Sequence, residues 1–81
     1  MEWIDELAGA FGTEPLSEPE VERLLSVARD VAHGVERKVT PLATFLLGMS
    51  VQRRMQSGDA RSGAVETAIA DLRATFSAGS G

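Results

Sequence analysis

The residues able to do chemistry gather in one stretch, VAHGVERKVTPLATFLLG, residues 31–48. Arg29, His33 and Arg37 follow one another at four-residue steps, so a regular helix would align them along one edge, with Lys38 just beyond. Thr40-Pro41 comes next, a cap followed by a first-turn proline whose missing donor would be unpaired there anyway. A helix beginning at Thr40 would turn its unpaired amides and positive dipole end toward the basic residues, the physical recipe for holding a phosphate or carboxylate. Arg29, His33, Arg37, Lys38 and Thr40 are therefore the candidate anion-binding residues. The plainer reading is that these side chains flank the core, cover it with their aliphatic stems and pair with Glu22, Asp30 and Glu36. His33 has no serine or cysteine partner in a motif around it, so no residue is assigned a catalytic role and no enzyme is expected.

Other chemistries are disfavoured by composition. Cysteine is absent and histidine occurs once, which removes disulfides, thiolate nucleophiles and the strong zinc patterns. No metal and no cofactor are expected. Twelve acidic against eight basic residues give a formal charge of −4, a field that repels phosphodiesters. A DNA-reading helix would be polar with basic surroundings, whereas the segment after Thr40 is the most apolar in the chain, so nucleic acid is not an expected partner. An acidic MEWIDEL start and an apolar run, LATFLLGMSV, far shorter than a span point to a cytoplasmic protein with no membrane partner. The Asp-Ser-Leu turn of acyl carrier proteins is missing, although size and charge are similar.

Four helices must position these residues. Trp3, Leu7 and Phe11 at four-residue steps, with Ile4 and Ala8 beside them, predict a short amphipathic helix that stops at Gly12. Ser17 stands three residues before Glu20 as a capping box, flanked by a Leu16 and Val21 staple. The helix so opened carries an apolar stripe of Val21, Leu24, Leu25, Ala28, Val31, Ala32 and Val35, and Gly34 falls within its last turns. Ser57-Gly58-Asp59 ends the third helix, and from about Ser62 a fourth sets Val65, Ala68, Ile69, Leu72 and Phe76 at spacings of three and four. Arg53, Arg54 and Arg61 near that break suit the negative end of the third helix. The fold class is all-α, a compact bundle of four short helices forming one domain over residues 1–77, with a disordered tail at 78–81.

The third helix is apolar almost all round. Leu42, Phe45, Leu46 and Met49 take one side, where Leu46 is expected in the core; Leu47, Val51 and Met55 take nearly the opposite side. Three short companions cannot easily enclose both, so Thr44, Leu47, Gly48, Val51 and Met55 are the expected interface, for a protein partner or a homodimer.

Residues 24–48, LLSVARDVAHGVERKVTPLATFLLG, resemble a small uncharacterised helical domain family of actinobacteria. The residues that carry the likeness are Ala28, Val31, Ala32, His33, Gly34, Val35 and Arg37, then Pro41, Leu42, Phe45, Leu46 and Gly48, together with the tryptophan-bearing first helix. Members of that family look like stand-alone proteins of this size or tails fused to molybdenum cofactor guanylyltransferases. The resemblance implies a non-catalytic accessory role near that pathway, with a nucleotidyltransferase as partner. It also makes a nucleotide or pterin phosphate the alternative ligand for the basic cluster. The chain departs from the pattern after Gly48, where SVQRRMQSGDARSG stands in place of small, glycine-rich residues.

Overall fold

The computed structural model describes residues 2–80, with side chains described for 2–76. The fold is an all-α bundle of four helices: α1 (Glu2–Phe11), α2 (Glu18–Gly34), α3 (Thr40–Gln56) and α4 (Arg61–Ser80), with a 3₁₀ turn over Arg37–Val39. The disordered tail expected over 78–81 falls outside the residues whose side chains are described. No helix among the described residues is long and apolar enough to cross a membrane.

Local chemistry sets the helix ends. Ser17 caps α2 as expected: its hydroxyl accepts from the Glu20 amide at 3.2 Å, and the Glu20 carboxylate accepts from the Ser17 amide at 2.8 Å. α1 and α3 close with the same device. In α1, Thr13 N–H reaches the Ala8 carbonyl and Gly12 N–H the Gly9 carbonyl; in α3, Asp59 N–H reaches Arg54 and Gly58 N–H reaches Met55. These six-to-one and five-to-two bonds need the residue after the cap in the left-handed region, and glycine fills both places, Gly12 at φ 69° and Gly58 at φ 112°.

The core forms where α2, α3 and α4 cross. Val27, Leu47, Val65, Ala68 and Ile69 are buried together, with Leu24, Val51 and Leu72 packed against them. Val31 and Ala64 are also buried. The α4 stripe follows the expected spacing. The α2 stripe follows it in part: Val31 is buried and Val21, Leu24, Ala28 and Ala32 are half-buried, but Leu25 and Val35 are more than half exposed, and Val27, outside the expected stripe, is fully buried. The inward face is therefore centred nearer Val27 than the periodicity predicts. Ion pairs tie the periphery, with Arg54 to Asp71 at 2.6 Å joining α3 to α4, and Arg73 to Asp30 and Arg23 to Glu66 joining α4 to α2.

α1 joins this packing only along one edge, where Ala8 is buried and Ile4 and Leu7 are half-buried. Among the described residues no Cα of α1 approaches within 8 Å of another helix, and Trp3 and Phe11, expected on its apolar face, are largely exposed. The extents, 39 × 29 × 19 Å, describe a slab about two helix diameters thick.

Candidate functional site

Of the surfaces the fold creates, the outward face of α3 departs furthest from an ordinary protein exterior. Leu42, Phe45, Leu46 and Met49 are exposed by 64, 70, 64 and 56 %. Their spacing of i, i+3, i+4 and i+7 makes them one continuous stripe.

The expected interface is the opposite face, and the structure corrects it. Leu47 is buried in the core, and Val51 packs against that core, with Met55 half-buried on the same side. Thr44 is half-buried and donates its hydroxyl to the Pro41 carbonyl at 3.0 Å, a bond within its own helix. Only Gly48 among those residues is exposed, and it lies on the flank between the two faces. The reason lies in how far each face extends. Ala43, Leu47, Val51 and Met55 continue to the C-terminal end of α3, so they can line its whole crossing with α4. The other face runs into Gln52, Arg53 and Gln56 after Met49 and cannot.

The candidate anion residues meet a different local geometry from the one expected. α2 ends at Gly34, so Arg29 and His33 share its surface while Arg37 and Lys38 belong to the 3₁₀ turn. That turn runs directly into α3. Val39, not Thr40, occupies the cap position, and no side chain caps the helix there. The Thr40 amide is bonded to the Arg37 carbonyl, and the Thr40 hydroxyl is buried without a partner. The expected row of free α3 amides at Thr40 is thus displaced back into the turn. Lys38 lies 3.6 Å from Glu36, both well exposed, a pairing of the kind that contributes little. Arg29, His33 and Arg37 are exposed and have no salt bridge or side-chain hydrogen bond among the described residues. Beside them an open apolar groove of about 400 Å³ runs between α2, α3 and α4, lined by Val31, Val35, Val39, Ala43, Leu72 and Phe76.

Spacing announces only the Ser17–Glu20 half of the best-organised polar cluster. Arg61, the first residue of α4, holds Glu20 through two hydrogen bonds of 2.9 and 3.1 Å and donates to the Glu14 and Pro15 carbonyls at 3.2 Å. Burial raises the Glu20 pKa, but the Ser17 amide and the Arg61 guanidinium outweigh it and hold the carboxyl below its ordinary value. Every strong acceptor around Arg61 comes from the chain itself, so this cluster clamps the α1–α2 connection to α4 and offers nothing to a ligand.

Among the described residues, nothing in the chain covers the α3 stripe or pairs with Arg29, His33 and Arg37 on the basic edge. Comparison with curated proteins and with solved structures finds no match. A family of domains of unknown function, DUF6457, matches residues 1–80, and the chain belongs to that family.

Proposed function

We propose that this chain is a non-catalytic accessory module that works by docking onto protein through the outward stripe of α3. The observation that carries this reading is the joint exposure of Leu42, Phe45, Leu46 and Met49 at the spacing by which helix-in-groove recognition places its anchors. No charged residue interrupts the helix from Thr40 to Gln52, so covering the stripe strips no ion of water. The resemblance to actinobacterial domains found alone or fused to molybdenum cofactor guanylyltransferases supplies the process. In this reading the module acts in the cytoplasm, in molybdenum cofactor assembly, and the nucleotidyltransferase is the enzyme it serves. Titrating the chain into a purified molybdenum cofactor guanylyltransferase in a calorimeter tests both parts. Saturable heat with a Kd of roughly micromolar order is expected, weakened at least about tenfold by Phe45→Asp and unchanged by Arg37→Ala. Absence of binding by the wild-type chain removes the accessory reading.

A second reading, a site for a small anion, nucleotide or pterin phosphate, is favoured by the unpartnered Arg29, His33 and Arg37. Phosphate, GTP or a pterin phosphate would then move the His33 ring resonances, with an affinity that falls with ionic strength and with Arg37→Ala. Unmoved resonances at about millimolar ligand end that reading.

A further inference from the structure

We infer that in the free chain the occupant of the α3 stripe is a second copy of this chain, the two stripes meeting across a two-fold axis in a contact that docking onto the enzyme would displace. The inference rests on the reading of the stripe as a protein-docking face and names what docks there. Area is the first argument. At the exposures of Leu42, Phe45, Leu46 and Met49 the stripe offers on the order of 500 Å² of apolar surface, within the range of the largest, often functional patches on a protein exterior. Homodimer interfaces are about 65 % apolar, so such a stripe corresponds to a footprint near 800 Å² per copy, which is the size of a standard stable interface.

Charge is the second argument. In a two-fold contact each surface group near the axis meets its own twin, so any charge there opposes itself. From Thr40 to Gln52 α3 carries no charge of either sign, although a quarter of the chain is charged. Between Thr40 and Gln52 a stripe of this kind meets its own image without like-charge contact despite the net charge of −4, the first cations, Lys38 and Arg53, falling at its two ends. Shape is the third. A slab 19 Å thick exposes one side of α3 because no further layer covers it, and a second slab laid face to face supplies that layer. The centre of the stripe falls between Phe45 and Leu46, so an antiparallel pair sets Leu42 of one copy against Met49 of the other.

Sedimentation of the pure chain from about 1 µM to about 1 mM tests the inference. The expected result is a mass rising to twice the 8.6 kDa protomer. Phe45→Asp and Leu46→Lys should each raise the dissociation constant at least about tenfold with an unchanged helical circular dichroism spectrum. Because the chain has no cysteine, Phe45→Cys gives a single thiol that should form a disulfide-linked dimer under mild air oxidation, whereas Glu22→Cys on α2 should not. A wild-type chain that stays at the protomer mass throughout overturns the inference, as does a dimer indifferent to both charged variants. A monomer that still binds the guanylyltransferase through Phe45 leaves the docking reading intact and removes only the second copy. A monomer that binds nothing removes both.

Discussion

The Arg61 guanidinium directs four of its donors to Glu20, Glu14 and Pro15, and most of that contact lies away from solvent, with Arg61 26 % and Glu20 13 % exposed. A partly buried bidentate pair of this kind stabilises more than a surface one, so Arg61→Ala should cost about 1–3 kcal/mol, measured as a lowered urea midpoint. The pH dependence follows from the direction of the Glu20 shift. A carboxyl held below its unfolded value binds its proton less readily in the native state, so its contribution is complete above the ordinary value of 4.5 and fades as pH falls through the lower folded value. Wild type should therefore lose stability on acidification below about pH 5 more steeply than Glu20→Gln, compared by urea titration at successive pH values. Half of this cluster is legible in the sequence. Ser17 and Glu20 sit three apart and announce a capping box, whereas Arg61 stands 41 positions from its carboxylate partner, a separation that no local spacing encodes.

At the scale of the element, α3 decides what the molecule presents. The periodicity locates its two apolar faces, and the Ser57-Gly58-Asp59 break its end, because these features are local. Which face turns inward is not local. It depends on the length of the seam that α4 can follow, and the 43, 47, 51, 55 line outlasts the other. Leu47→Ala should accordingly cost about 2–4 kcal/mol through the cavity it leaves. At concentrations where the chain is a protomer, Leu46→Ala should change stability by less than about 1 kcal/mol, since its side chain faces water there. Parallel denaturant melts check the pair. α2 teaches the same lesson, because Val27 belongs to a seam only one step round the wheel from the more conspicuous line of Val21, Leu25 and Ala28. The alignment of the anion candidates likewise requires α2 to stay regular to Arg37, and its end at Gly34 divides them between two elements.

As a whole, the molecule is longer than its chain length requires. Its radius of gyration is 13.0 Å, against about 12 Å for an ordinary globule of this size. α1 is the element set furthest from the packing, and its amides should exchange with deuterium faster than those of the core residues Val27, Leu47 and Ile69 in a pulsed measurement. Equal protection in all four helices would mean that α1 is locked to the body by side chains alone.

Arg61 grips the Glu14 and Pro15 carbonyls immediately before the α2 cap, so the connection that carries the first helix is fastened to the frame by hydrogen bonds, whereas the helix beyond it leans on the body through Ala8 and the half-buried Ile4 and Leu7. Force applied to α1, by a tethered neighbour or an optical trap, would be borne by that guanidinium before it reached the opening turn of α2. The arm can be pulled, bent or trimmed at Phe11, and the body behind the fastening should keep its shape.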